Sequence, residues 1–485
     1  MVSNTKSIPS VSGQILINGS WTSLAKCKDV VNPAFTSDVV GQVAMASKDD
    51  VDQAVSAAEG AFDSWSRSPL EVRMKYIRQS WERLKDRIDE YTALFVRENG
   101  KTLVEAKKDI QRCIEILEKM PDALKNWYEP IDLSDSGQHV EIRRRPKGVT
   151  SIITPWNSPM ILTFKRVIPA ILTGNTVVLK PATNCPLTIM SFMKEIASCF
   201  PPGVLNVVTG SGRLIGDCIA RDKRVRTISF VGSTETGKVL MEKSSSTLKK
   251  LHMELGGNDP AIVLDDSILD KNTITKMKNG ILRGAGQVCS AIKRIYVHES
   301  RYEELLEKLS KEFSKVIVGE GIHPDTTMGP LNNQGQLQFI TDLIDNAEKH
   351  GAKVEYFGRK LNEEKWESGH FMLPAIVTNV DQQSEIVREE QFGPVIPIIP
   401  FKDLDQAVGY ANDSDFGLRA SVWTENFEAA RKLAYRLEAG AIFFNNHTIF
   451  KDLSLDFPGI KESGIGRETK YSGFEHFTDS YGFAN

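Results

Sequence analysis

Three side chains in this chain have the types and settings that covalent carbonyl chemistry needs. Cys289 stands in Gly284-Ala285-Gly286-Gln287-Val288-Cys289-Ser290-Ala291, just after two glycines and a glutamine. A thiol held on such a turn can act as a nucleophile once it is a thiolate. Glu254 precedes it by 35 positions (289 − 254 = 35), in Met253-Glu254-Leu255-Gly256-Gly257. A carboxyl beside a leucine and two glycines is expected in a tight, partly buried setting. Desolvation there raises its pKa toward neutrality and suits it to general-base work. Asn157 lies in Thr154-Pro155-Trp156-Asn157-Ser158-Pro159, where two prolines stiffen the loop and the amide N–H can stabilise an oxyanion. Read singly, the glutamate also fits an ordinary paired carboxylate, and the asparagine an ordinary turn.

Glycine-rich turns and one lysine point to a bound phosphate. In Phe230-Val231-Gly232-Ser233-Thr234-Glu235-Thr236-Gly237 a strand ends at Gly232 and a helix opens on Ser233. Such a helix N-terminus offers free N–H groups and a partial positive charge, although any strand-to-helix turn reads alike. Thr209-Gly210-Ser211-Gly212-Arg213-Leu214-Ile215-Gly216 nearly matches GxGxxG but is one residue too long. Lys180, at the end of Thr176-Val177-Val178-Leu179-Lys180, stands at a strand's carboxyl end, where dinucleotides bind and where it can donate to ribose hydroxyls or a 2′-phosphate.

The rest of the composition narrows the class. The 485 residues suffice for two or three domains. Sixty Lys and Arg against 63 Asp and Glu leave a formal charge of −3, with no bias toward nucleic acid or anionic membranes. The six cysteines are scattered with no CxxC pair, and the eight histidines do not cluster, so a reducing compartment and no metal are expected. Met1-Val2-Ser3-Asn4-Thr5-Lys6-Ser7 lacks an apolar signal core, and no apolar run is long enough to span a membrane. The expected location is the cytoplasm.

The elements that must position these residues follow from periodicity. Residues 14–23 read as a hairpin turning at Asn18-Gly19. Ser47 and Asp50 cap a helix whose Val51, Ala54, Val55, Ala58 and Phe62 recur at helical spacing. Amphipathic helices are expected over about 70–98 and 101–127, then an extended segment over 138–150. Its Arg143-Arg144-Arg145 reads as solvated or interface-paired. From 149 onward short β-branched runs (149–153, 176–179, 204–208, 227–231) alternate with helical stretches (159–172, 186–199, 212–220, 235–246), the grammar of a parallel sheet. Strands at 261–264, 294–297, 396–401, 421–423 and 441–444, with helices at 300–316 and 335–350, repeat it.

In one order the chain carries PWNxP, GNTxxxKP, FxGSTExG, ELGG, GQxC, EExFGP (Glu389 to Pro394), ANDSxxGL (Ala411 to Leu418) and KxSGxGRE (Lys461 to Glu468). This set resembles the aldehyde dehydrogenase superfamily over roughly residues 14–480. The resemblance implies an α/β fold: a Rossmann-like dinucleotide-binding domain (1–128 and 148–256), a catalytic α/β domain (257–456), and a small β bridging arm with the C-terminal tail (129–147 and 457–485). It implies that Cys289, as a thiolate supplied by a lowered pKa, attacks an aldehyde. The Asn157 amide and the Cys289 backbone N–H hold the oxyanion, hydride passes to a nicotinamide, and Glu254 activates the water that hydrolyses the thioester. The presence of Glu254 favours a free acid over transfer to coenzyme A. Trp156, Lys180, Thr183, Gly232, Ser233, Glu390 and Phe392 fall to the cofactor by the same likeness, Glu390 on the nicotinamide ribose with Phe392 flanking it. The expected partners are a small aldehyde and further copies of the chain, as a homodimer or homotetramer, with no nucleic acid and no membrane.

Two departures matter. Where NAD-preferring relatives read KPxE, this chain reads Lys180-Pro181-Ala182-Thr183. No carboxylate then repels a 2′-phosphate, so NADP is slightly favoured over NAD. Where relatives read PFGGxK, this chain has Asp456-Phe457-Pro458-Gly459-Ile460-Lys461, which changes the substrate entrance. Lys165 falls at a tunnel-lining position and suits an acidic, semialdehyde-like or aromatic aldehyde, unless it faces elsewhere on the helix surface. Ser158, where many relatives have an aromatic, leaves room beside the oxyanion. The competing readings are a coenzyme A-acylating dehydrogenase, a non-catalytic dinucleotide-binding protein and a thioesterase.

Overall fold

The structure, a computed structural model, describes residues 11–135, 137–447, 457–468 and 472–485. The N-terminal heptapeptide and Asp456 lie outside the described residues. The hairpin forms from Gln14–Ile17 and Ser20–Ser23, with Asn18 and Gly19 both at positive φ. Ser47 caps Lys48–Ser66, its hydroxyl accepting from Asp50 N while the Asp50 carboxylate accepts from Ser47 N. The helix expected over 70–98 is two, Leu70–Leu84 and Ile88–Asn99. Apolar spacing does not mark the break. Arg87 leaves helical geometry there and its guanidinium ties Glu90 to Glu195.

An eight-stranded sheet runs in the order Ser20–Ser23, Gln14–Ile17, Leu205–Val207, Thr176–Lys180, Val149–Ile153, Val225–Val231, Lys250–Glu254, Gly464–Ile465. The five strands from Leu205–Val207 to Lys250–Glu254 are parallel. Val149–Ile153 and Thr176–Lys180 are buried throughout, which is why they read as β-branched runs without strict apolar–polar alternation. Chain order moves one way from Val149–Ile153 and then returns to its other side at Val225–Val231. That reversal opens a crevice at the carboxyl ends of these two strands, the place where open α/β sheets take ligands.

A seven-stranded sheet follows: Lys353–Tyr356, Ala375–Thr378, Val395–Phe401, Ile292–His298, Asp259–Val263, Arg419–Trp423, Ala441–Phe444, parallel but for the first. Each large sheet has its own apolar core. Four residues join the carboxyl end of Lys250–Glu254 to the amino end of Asp259–Val263. The exit edge of the first sheet therefore faces the entry edge of the second.

A small sheet pairs Thr478–Ala484 with Val140–Pro146 over seven positions, with Ile131–Asp132 beyond. The arginine run lies on it and is paired within the chain. Arg143 meets the Glu141 carboxylate, Arg144 stacks over Trp127 and Arg145 over Tyr481. Among the described residues no helix is long and apolar enough to cross a membrane, and no three His, Cys, Asp or Glu side chains are grouped to hold a metal.

Candidate active site

The two sheet edges bring Asn157, Glu254 and Cys289 together from three segments. Cys289 lies just before Ile292–His298. Its loop turns through three successive left-handed residues, Gly284 (φ 60), Ala285 (φ 56) and Gly286 (φ 73). At Gly286 a Cβ would stand 2.0 Å from Gly393 O, so glycine is needed there twice over, for its φ and for the contact with the loop that carries Glu390. Gly284 N donates to Glu105 Oε1 (2.8 Å), and Glu105 also closes the capping box with Thr102 on helix Leu103–Trp127. At Gly257 a Cβ would stand 2.6 Å from Cys289 O.

Asn157 is tied to that loop. Its Nδ2 donates to Gln287 O (3.0 Å), which orients the amide and leaves its second N–H for another acceptor. Gln287 Oε1 accepts from Asn332 N (2.9 Å), Asn332 Nδ2 donates to Asn99 O (3.2 Å), and Asn99 Nδ2 donates to Trp156 O (2.7 Å). Trp156 is covalently next to Asn157, so these bonds form a closed ring through four segments of chain.

Glu254 ends its strand, in register with Val231 on one side and Gly464 on the other. Its backbone carbonyl accepts from Gly232 N (3.1 Å). Its Oε2 lies 3.2 Å from Arg166 Nη2, on the helix Pro159–Leu172 that Asn157 precedes. Desolvation of an isolated carboxyl is therefore not the whole picture, because a buried opposite charge favours the ionised form. The Cys289 thiol differs from the sequence expectation. Burial first, and the Glu254 charge second, push it up to about 11, although Lys293 and Arg419 act the other way. A spontaneously formed thiolate is not what this arrangement holds at neutral pH.

The residues expected at a nucleotide border the same crevice. Trp156 and Phe392 meet edge to face, ring centres 5.6 Å apart, and Phe392 sits at φ 50. Ser233 caps Thr234–Ser244 next to Gly232, accepting from Thr236 N. Lys180 is buried, and its Nζ donates to Pro181 O (3.2 Å). Desolvation alone lowers it to about 8. A buried ammonium given only a carbonyl fits an arriving anion. Thr183 is half-buried in the loop after that strand. Glu390 gives Oε1 to Gly257 N (3.1 Å) and to Lys293 Nζ (3.3 Å), while its Oε2 faces Gly256. Ser158 and Lys165 are half-buried, at the N-cap and on the second turn of Pro159–Leu172.

Four groups were not singled out from sequence. Arg166 was detectable as one of two adjacent cations in an otherwise apolar helix, and Lys293 as a charge inside the buried strand IKRIYVH. Gln287 was legible only as a motif letter. Arg283, six residues before Cys289, donates its backbone N–H to Asn279 O, and among the described residues its side chain makes no hydrogen bond or ion pair. Burial lowers its pKa, and the charge of Cys289 is among those acting on it.

The sequence profile described as the aldehyde dehydrogenase family matches residues 21–481. The chain is 33% identical over 472 residues to an alpha-ketoglutaric semialdehyde dehydrogenase of Bacillus subtilis, covering 95% of this chain and 96% of that one. It is 34% identical over 470 residues to an NADP(+) succinate-semialdehyde dehydrogenase of Escherichia coli, covering 96% of each. A crystal structure of betaine aldehyde dehydrogenase from Staphylococcus aureus in complex with NAD+ superposes with a TM-score of 0.92 at 31% identity, covering 98% of this chain and 95% of that one.

Proposed function

This chain belongs to the aldehyde dehydrogenase family and oxidises an aldehyde to a carboxylic acid with NAD(P), and from that premise we propose that Cys289 is the nucleophile, Glu254 the base and Asn157 the oxyanion donor. The observation that carries this is the bond from Asn157 Nδ2 to Gln287 O, which fixes the amide against the loop of Cys289. Glu254, the anion whose charge Cys289 feels, takes the thiol proton. Sulfur attacks the carbonyl carbon, and the oxygen gains the negative charge beside the second N–H of Asn157 and the N–H of Cys289. A nicotinamide, when bound, accepts the hydride that leaves this carbon. Glu254 releases that proton to solvent and then draws one from water as the water oxygen attacks the thioester. The C–S bond breaks, the acid leaves, and the departing sulfur takes the proton back from Glu254 as the thiol reforms. Trp156, Gly232, Ser233, Glu390 and Phe392 are the residues that would hold the nucleotide.

Lys180 and Thr183 support NADP as the better-bound nucleotide, because a buried cation without a neighbouring carboxylate suits a 2′-phosphate. The substrate class read from the site is an aldehyde bearing a carboxylate. Arg283 is a cation close enough to the nucleophile to feel its charge, Lys165 is a half-buried cation on the helix that follows the oxyanion loop, and two of the similar proteins are named for semialdehydes. Ser158 adds room beside them. The eight-stranded, seven-stranded and small sheets support a division into dinucleotide-binding, catalytic and arm parts, with Gly464–Ile465 of the tail joining the first sheet rather than the arm. Exposed Tyr481 and Phe483 on the outer strand Thr478–Ala484, which has a neighbour on one side only, suit a homodimer or homotetramer joined through the arm.

The test follows reduced-nicotinamide absorbance with NAD and NADP separately, over neutral and ω-carboxylated aldehydes of matched length. The carboxylated members are expected to give the higher kcat/KM, Arg283→Gln to remove that advantage while sparing neutral aldehydes, and Cys289→Ala to give no signal. A neutral aldehyde preferred by the parent would overturn the substrate class, and turnover by Cys289→Ala the nucleophile.

A further inference from the structure

Strand Ile292–His298 carries two adjacent cations that are each only 1% exposed, Lys293 and Arg294. Arg294 has structural employment: it binds the backbone oxygens of Asn258, Tyr410 and Ala411 and the hydroxyl of Tyr296. The partners of Lys293 are of another kind. Its Nζ donates to Val288 O (2.8 Å), Cys289 O (3.1 Å), Gly257 O (3.3 Å) and Glu390 Oε1 (3.3 Å), and it stands 5.7 Å from the Phe392 ring centre. An ammonium has three N–H groups, so four acceptors share them. Each acceptor belongs to a segment already placed at the site: the nucleophile loop, the link that follows Glu254, or the loop of Glu390 and Phe392. Burying a lysine is costly, and packing alone would be served by an apolar side chain of that length.

We propose that Lys293 is a positioning residue that ties the nucleophile loop to the nucleotide-holding carboxylate, so that one ammonium sets both Cys289 and Glu390. The inference rests on the reading of Cys289 as nucleophile and Glu390 as nucleotide ligand. By engaging Oε1, Lys293 keeps the Glu390 carboxylate in one rotamer with Oε2 left for a ribose hydroxyl. By holding the carbonyls on either side of the Cys289 Cα it fixes the thiol's carrier, and its charge favours the thiolate. The other charges facing that thiol are Glu254, Glu390, Arg419 and Arg283. Lys293, besides acting on that thiol, donates directly to Cys289 O and to Glu390 Oε1.

The experiment uses the full-length Lys293→Met protein, nearly equal in length but uncharged. Two readouts are taken that a packing role would not move: the pH profile of Cys289 alkylation by iodoacetamide without nucleotide, and KM for the nucleotide at saturating aldehyde. The alkylation midpoint is expected to rise by about 1 unit or more, and the nucleotide KM to rise about tenfold. The Glu390→Gln, Lys293→Met double variant should have a KM no worse than Glu390→Gln alone. Superimposable alkylation profiles for parent and Lys293→Met overturn the proposal. Additive KM effects overturn the coupling. If Glu390→Gln itself leaves the nucleotide KM unchanged, the reading of Glu390 fails, whereas a shifted Lys293→Met profile still upholds the link to Cys289. Should Lys293→Met not fold, Glu390→Gln supplies the alkylation test: with the carboxylate gone, the ammonium acts on the nucleophile loop alone and the midpoint falls. An unchanged midpoint there overturns the proposal.

Discussion

Arg166 Nη2 lies 3.2 Å from Glu254 Oε2, with the two side chains 2% and 8% exposed. A guanidinium beside a buried carboxylate favours its ionised form, and an ionised carboxylate can accept a proton from a thiol or a water. The pair also means that neither member can be removed alone without leaving a buried charge. Arg166→Met is expected to lower stability by about 3–5 kcal/mol, measured by denaturant unfolding, and Arg166→Lys to restore much of it. Glu254→Gln keeps the shape but removes the base. It should give at most one equivalent of reduced nicotinamide per site and then stall, visible as a burst in stopped-flow absorbance. Sustained turnover by Glu254→Gln would remove Glu254 from the hydrolytic step.

The ring of bonds through Asn157, Gln287, Asn332, Asn99 and Trp156 predicts graded effects. Asn157→Ala loses an oxyanion donor and should cut kcat by about 10²–10³. Asn99→Ala breaks the ring far from the reacting carbon. It should act more mildly on kcat, and also on nucleotide KM because Trp156 loses its tether. Steady-state kinetics on both variants separates the two positions, and equal losses would mean the ring acts only through folding.

The thiol of Cys289, pushed up to about 11, sets a pH dependence for the nucleotide-free enzyme. Raising an acid's pKa favours its neutral form, so the thiolate fraction should grow about tenfold per pH unit between 7 and 10 and level off near 11. Iodoacetamide inactivation is expected to follow that curve, shifted downward in Glu254→Gln, where the second-largest cause is absent. The linkage has a definite sign. The stability this shift confers is complete below pH 9, the ordinary thiol value, and is lost as pH rises through about 11. A plateau of alkylation already at pH 8 would contradict this environment.

Lys180, brought down to about 8 by desolvation, predicts how nucleotide choice varies with pH. Lowering a base's pKa favours its neutral form, so its charge is present below pH 8 and lost above it. Binding of NADP should weaken from pH 7 to 9 more than binding of NAD, because the 2′-phosphate loses its counter-ion. Fluorescence titration of both nucleotides measures this, and Lys180→Ala should flatten the difference. Parallel pH curves for the two nucleotides would show that Lys180 does not meet the phosphate.

Much of this was legible from residue order because parallel strands announce themselves. Val149–Ile153 and Thr176–Lys180 are buried on both faces and so read as β-branched runs without strict apolar–polar alternation, their Thr and Ser side chains buried with the rest. The capping pair Ser47 and Asp50, and the turn at Asn18-Gly19, are local devices that act within a few residues. The strand Lys250–Glu254 escaped notice because it opens on a lysine and carries His252 and Glu254 inside. The helices Lys271–Leu282, Leu404–Asn412 and Phe427–Ala434 were missed because they are short and their buried stripes rest partly on small residues such as Gly280, Ala407, Ala411 and Ala430. The motif set placed Cys289, Glu254 and Asn157, but not their surroundings. Which cation faces Glu254 depends on a contact 88 positions apart, and which carboxylate meets Lys293 on one 97 positions apart. No spacing rule reaches that far. The raised thiol was misjudged because burial outweighs the nearby cations, and burial is a property of the assembled fold.

The strand Gly464–Ile465 closes the first sheet against Met253 and Glu254, and this has a consequence for synthesis on the ribosome. At about 5–20 residues per second, the roughly 200 residues between those partners take on the order of 10–40 s to emerge. Throughout that interval the nascent chain presents Lys250–Glu254 as an open sheet edge at Glu254, the residue proposed as base. Such an edge templates pairing with other chains, so the window before the last strand arrives is when this protein most needs a chaperone.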